Sequence, residues 1–293
     1  MGKTRFQIAK KDIINFFDNL PSPVLTHSSI SKILSEQRDF WRLPMNLSVR
    51  AFINLLLTNK LKKHTFDFPH RKVVKYSWGE TSIYNIFLAL AENSYFTHYT
   101  AMYLHNLTDQ VPKTIYVNFE QSKKKKPQNS SLAQGRIDFA FSRPQRETNN
   151  IAKYKDYNIC LLNGQFTDKT GIVEINTEEG GNLAVTSVER TLIDITVRPS
   201  YSGGIYEILN AFIRAKEKVS INKLTAILKK LDFIYPYHQA IGFYLERAGV
   251  YTNEQLDLLK KFEINYDFYL TRQIKEKAFS DTWRIYYPKE LDG

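Results

Sequence analysis

Cysteine is almost missing from this chain: Cys160 is the one cysteine in 293 residues. A single thiol excludes an intramolecular disulfide and a cysteine-rich zinc site, and fits a reducing compartment. It lies in the apolar run Tyr157-Asn158-Ile159-Cys160-Leu161-Leu162, where a buried, inert thiol is expected. Long apolar runs are missing too. Nothing approaches the roughly 18 consecutive apolar residues of a membrane span, and Met1-Gly2-Lys3-Thr4-Arg5-Phe6 has no signal-peptide core. The expectation is a cytoplasmic protein.

Catalytic signatures are equally scarce. The six histidines (27, 64, 70, 98, 105 and 238) make no His-Glu-x-x-His pattern, and His98 and His105 read as packing or capping groups. There is no Gly-x-x-x-x-Gly-Lys loop, no Gly-x-Ser-x-Gly elbow, and no Gly-Ser with closely spaced aspartates. A restriction-type nuclease needs acids on neighbouring strands with a lysine two residues on, where metal and attacking water share one pocket. Asp138 and Glu174 are the candidate acids, but Asn176 stands where that lysine is required. The expectation is a protein without catalysis, metal or nucleotide cofactor, with a DNA nuclease as the enzyme alternative.

What is present is a lopsided positive charge. Residues 1–80 hold 14 Lys+Arg against 6 Asp+Glu, net +8, whereas the remaining 213 hold 27 against 24, net +3. With 43% apolar and 14% aromatic residues, the chain can bury cores for about two domains. A basic first module on a nearly balanced body predicts one part that approaches a polyanion.

Apolar spacing predicts a helix over Ile8–Leu20, stopped by Pro21 and Pro23. A second follows from a Ser28 or Ser29 cap to Leu34, and a third runs from Leu47 to Asn59. Strands over Leu61–Phe68 and Val73–Trp78 flank a turn at Pro69–Lys72. Three helices and a basic hairpin are the order of a winged helix-turn-helix over residues 1–80. The third helix is the expected reader: Asn46, Arg50 and Asn54 recur every four residues, and these side chains can bond bidentately to adenine and guanine. Arg42, Lys60, Lys62, Lys63, Arg71, Lys72 and Lys75 suit phosphate oxygens, unless they merely solvate a charged face.

Residues 81–293 read as a larger mixed α/β domain with a helical C-terminal part, giving an α+β chain overall. A helical pair is expected over Ser82–Ala91 and Thr97–Leu107, the second capped by Thr97. Strands are expected over Thr114–Phe119, Arg136–Phe141, Ile159–Leu162, Gly171–Ile175 and Asn182–Val185, with a turn at Gly180-Gly181. The first two would enclose a hairpin loop carrying Lys123 to Lys126, either solvated or touching phosphate. Ser187 caps a helix over Val188–Ile195, with Glu189 suited to its dipole. Further helices are expected over Ile205–Lys216, Asn222–Leu231, Tyr237–Ala248 and Asn253–Phe262, the last capped by Thr252 or Asn253. An aromatic tail follows, with a strand over Thr282–Tyr287.

Three stretches of this part carry a family resemblance: Tyr95 to Pro112 with the strand Ile115-Tyr116-Val117; Val185 to Asp194, containing Glu189-Arg190-Thr191-Leu192-Ile193-Asp194; and Gly203-Gly204 after Pro199. They resemble the AbiEi antitoxin family of bacterial type IV abortive-infection toxin–antitoxin systems. The resemblance implies a repressor-antitoxin that binds inverted repeats at its own promoter and counteracts a nucleotidyltransferase toxin, without a stable toxin complex. Glu189, Arg190 and Asp194 match the family segment. Arg190 and Asp194, four apart, can equally be a structural ion pair. A winged-helix regulator with a ligand- or protein-binding second domain is the other alternative. No heptad seam offers a dimer interface, so a monomer in solution that places two copies on double-stranded DNA is expected.

Overall fold

The computed structural model describes residues 5–123, 132–178 and 181–292. The order along the chain is α1 (Arg5–Asp18), β1 (Val24–Leu25), α2 (His27–Gln37), α3 (Val49–Leu57), β2 (Leu61–Phe68), β3 (Arg71–Trp78), α4 (Ile83–Leu88), β4 (Tyr95–Phe96), α5 (His98–Leu104), β5 (Thr114–Glu120), α6 (Gln134–Phe141), β6 (Ile151–Tyr154), β7 (Tyr157–Gly164), β8 (Ile172–Thr177) and β9 (Gly181–Thr186). The C-terminal third holds α7 (Val188–Val197), α8 (Ile205–Arg214), α9 (Ile221–Leu231), α10 (Tyr237–Ala248), α11 (Asn253–Lys260), β10 (Phe268–Tyr269), β11 (Lys277–Ser280) and β12 (Ile285–Pro288). The chain is mixed α+β. No helix among the described residues is long and apolar enough to cross a membrane.

The first core packs α1, α2 and α3 on a three-stranded sheet of order β1-β3-β2. Every fourth residue of α1 (Ala9, Ile13, Phe17) is buried, and Phe17 meets Trp41, Phe52 and Trp78 with ring centroids 4.8–6.5 Å apart. Thr26 starts α2 with a reciprocal cap to Ser29. The hairpin serves two cores. Leu61, Tyr76 and Trp78 join the first, while Phe66 and Phe68 pack with Phe87, Phe96 and Val117 in a second. His64 fastens this seam, with Nδ1 2.6 Å from Tyr154 Oη on β6 and Nε2 2.8 Å from Ser77 Oγ.

The second core lies on a six-stranded sheet of order β6-β7-β5-β4-β9-β8, with β5 parallel to β7 and β4 parallel to β9. A third core joins α7 to α11 and the small sheet β10-β12-β11. Cys160 lies buried beside Leu162 and Tyr201, and burial pushes its thiol up to about 12.

Three expectations are corrected. Arg136–Phe141 is helix rather than strand: Ile137 and Phe141, four apart, are buried, and Phe139 is exposed. The strand expected to close a hairpin with β5 is therefore helix α6. Lys124 to Lys126 lie outside the described residues, as does Gly180. Thr97 makes no side-chain cap on α5, since its hydroxyl is turned elsewhere.

Candidate nucleic-acid interface

Helix α3 begins after Ser48, whose hydroxyl accepts from the Ala51 amide at 3.2 Å. Phe52, Ile53 and Leu56 are buried, which turns Arg50 and Asn54, one helical turn apart, to solvent. Neither makes a hydrogen bond or ion pair with any described residue. Asn46 is exposed but sits in the turn before the helix, whose regular backbone starts at Val49, two residues after the expected Leu47. The expected row of three is therefore two helical residues and one loop residue.

The loop between α2 and α3 has an organiser that spacing did not reveal. The Arg38 guanidinium donates to the carbonyls of Pro44, Met45 (3.4 Å) and Leu47 (3.0 Å), gathering the strand that presents Asn46 and enters α3. An arginine at a helix end six residues before a proline carries no recognisable signal. Arg42 is exposed with a left-handed backbone (φ 50°), and its carbonyl accepts from Arg5. Phe40 and Met45 are the most exposed large apolar side chains here.

The expected phosphate contacts divide into two sets. Lys60 pairs with Asp18 at 2.8 Å, Lys62 with Glu80 at 2.7 Å and Lys72 with Asp67 at 3.1 Å. The hydrogen bond from Lys60 holds the Asp18 carboxyl below its usual range, aided by Trp78 Nε1 at 2.7 Å, and that from Lys62 does the same for Glu80. Lys75 is half-buried, and burial depresses its ammonium. Lys63 and Arg71 are exposed and have no carboxylate partner among the described residues. Exposed pairs are worth only about 0.2–1 kcal/mol, so phosphate can compete for the paired lysines, but Lys63 and Arg71 are ready without exchange.

The segment Glu189 to Asp194 is interior. Glu189, Arg190 and Asp194 are 4, 6 and 8% exposed on α7, where residues 189 to 196 are all buried. Arg190 Nε donates to Asp194 Oδ1 at 2.7 Å and Nη1 to the Thr170 carbonyl at 2.7 Å. Asp194 Oδ2 accepts from Thr97 Oγ1 at 3.1 Å. Burial alone would lower the Arg190 guanidinium, but the Asp194 charge and hydrogen bond outweigh it and raise it. Glu189 accepts from Ser187 Oγ (2.9 Å), the Ser220 amide (3.2 Å) and Lys223 (3.0 Å). Burial would raise its carboxyl, but these bonds hold it low. Gly171 permits the approach: its φ is +76°, and a Cβ there would stand 2.8 Å from Arg190 Cβ. The three charges tie α7 to Thr97 at the start of α5, to the loop before β8 and to the start of α9.

Asp138, a candidate nuclease acid, lies on α6 and accepts from Gln134 Nε2 (2.8 Å) and Tyr269 Oη (3.1 Å). Among the described residues no group of three His, Cys, Asp or Glu could hold a metal ion.

These features define a mixed α+β protein with a basic helical N-terminal part and a charge clamp buried in its body. Its fold is similar to the crystal structure of the RV2827C protein from Mycobacterium tuberculosis, with TM-score 0.59 at 13% identity over 96% of this chain and 91% of that one. Such identity speaks to fold alone. No family model matches the chain, and no curated protein matches it.

Proposed function

We propose that this chain is a DNA-binding antitoxin and transcriptional autorepressor of a type IV toxin–antitoxin operon. In this reading residues 1–80 form a winged helix-turn-helix that takes a half-site of an inverted-repeat promoter, and residues 81–293 counteract a nucleotidyltransferase toxin without a stable complex. The DNA-binding half is carried by one observation. Arg50 and Asn54 stand unpartnered and exposed on α3, inside a segment of net charge +8. The antitoxin half is supported by the family resemblance of Tyr95–Pro112, Val185–Asp194 and Gly203-Gly204.

The test uses the full chain, because a cut at Thr81 would strip Phe66 and Phe68 from the second core. Arg50→Ala should lower affinity for promoter duplex by about 1–3 kcal/mol if the guanidinium reads a base. The same variant should still rescue cells expressing the cognate toxin. Unchanged promoter affinity would remove the reading helix from the proposal, and loss of rescue in parallel with repression would make protection purely transcriptional. Light scattering should show a monomer in solution and two copies on a two-half-site duplex.

A further inference from the structure

The C-terminal sheet has one face inside the third core and one that the core covers only at its edge, where Tyr269 packs through Phe141. Phe268, Ile285 and Tyr287 point into the third core with Trp283. On the other face three aromatic side chains fall in one cross-strand row. Tyr269 is opposite Tyr286 in the parallel pair β10–β12, and Tyr286 is opposite Phe279 in the antiparallel pair β12–β11. Their ring centroids are 5.1 and 4.7 Å apart. Phe279, the open end of the row, is 38% exposed, and the tyrosines are half-buried.

The row continues and is charged. Phe141 of α6 stacks on Tyr269 at 5.6 Å and 15°, and the Arg272 guanidinium lies over Phe141 at 4.8 Å. Lys277, two residues from Phe279 and so on the same face, sits 5.1 Å above Tyr269 and 5.7 Å above Tyr286. A hollow of about 210 Å³ opens beside them, walled by Phe141, Tyr269 and Lys277, with Asp138 and Gln273 at its edge. That is smaller than a drug-sized pocket, on the scale of a single ring system. Residues 271–289 hold five Lys+Arg against two Asp+Glu. Of these cations, Lys275, Lys277 and Lys289 have no carboxylate partner among the described residues.

We propose that this face binds single-stranded nucleic acid, with an unpaired base stacking on Phe279 at the open end of the row beside Tyr286 and phosphates meeting Lys277 and Lys275. Aromatic rings beside cations are the two parts such a surface needs, since every base has a π face and every linkage a negative charge. Bases inside a duplex are already stacked on each other and cannot reach a sheet-borne row. The unneutralised lysines favour a polyanion over a proline-rich peptide, the other ligand that aromatic grooves take. The inference stands apart from the duplex-reading role of α3.

The test is fluorescence anisotropy of the full chain with labelled single-stranded RNA and DNA of mixed sequence, about a dozen nucleotides long. Phe279→Leu keeps an apolar side chain but removes the ring, and Tyr286→Leu does the same nearer the centre. Each should weaken binding about 5- to 150-fold, the equivalent of about 1–3 kcal/mol per stacked base, without moving the melting temperature by more than a few degrees. Lys277→Gln should lessen the salt dependence, and Arg50→Ala should leave single-strand affinity unchanged. The proposal is overturned if the full chain binds neither strand, if Phe279→Leu binds like the parent, if the loss follows Arg50 instead, or if a proline-rich peptide binds the same face and displaces the oligonucleotide.

Discussion

Arg190 and Asp194 form a buried ion pair within one turn of α7, with Nε to Oδ1 at 2.7 Å and side chains 8 and 10% exposed. Removing one member leaves the other charged in the interior, which costs about 3–5 kcal/mol. Asp194→Ala should therefore lower the unfolding free energy in urea by that amount, through a lower midpoint at unchanged slope. Arg190 and Asp194 replaced together by apolar residues should cost less than the sum of the singles. An Arg190→Ala chain that unfolds like the parent yet fails to rescue cells would instead give the pair a partner-contact role.

Gly242 on α10 lies under the Trp283 indole: a Cβ there would stand 2.1 Å from Trp283 Cζ3. One turn on, Glu246 Oε2 accepts from Trp283 Nε1 at 3.0 Å. Alanine would gain about 1 kcal/mol of helix propensity, but the ring has nowhere to move. Gly242→Ala is expected to destabilise by about 1–3 kcal/mol through overpacking. A higher melting temperature in this variant would show that the indole is not seated there.

His98 is buried against the rings of Tyr116 and Tyr201, and burial lowers its imidazole to about 4. Asp194 opposes this shift, while Arg198 and Arg190 add to it. The folded state binds the proton less readily than the unfolded state, whose histidine titrates near 6.5. Its stabilising contribution is complete above 6.5 and fades as pH falls from there towards 4, reaching a loss of about 3 kcal/mol. His98→Asn should flatten that acid limb, because asparagine tolerates the left-handed backbone at this position (φ 51°). Identical stability–pH curves for variant and parent would assign the acid limb to other groups.

Glu80 and Asp18 occupy two of the lysines expected at phosphate. Glu80→Gln frees Lys62 from its 2.7 Å partner, and should steepen the salt dependence of duplex binding. Lys63→Ala should do the opposite, reducing the slope by about one and weakening all sequences alike. Equal slopes for parent, Glu80→Gln and Lys63→Ala would move the phosphate track off this hairpin.

Local chemistry was legible in the sequence wherever a short-range rule acts alone. The apolar spacing of α1 and α3, the hairpin strands and the Ser187 cap depend on neighbours a few residues away, and each is found within a few residues of its expected place. Arg136–Phe141 misled because Ile137, Phe139 and Phe141 alternate like a strand. The third core takes Ile137 and Phe141 and leaves Phe139 outside, with Arg143 4.0 Å over its ring. The charge excess of residues 1–80 was countable, but which lysines it leaves free was not, since Asp18 and Lys60 are 42 residues apart. Likewise the aromatic row Tyr269–Tyr286–Phe279 exists only through strand register, and the seat of Phe66 and Phe68 only through a second sheet. Periodicity reports which face of an element is apolar. Only the tertiary structure decides what that face meets, because long-range packing and pairing bring together groups whose separation along the chain carries no signal.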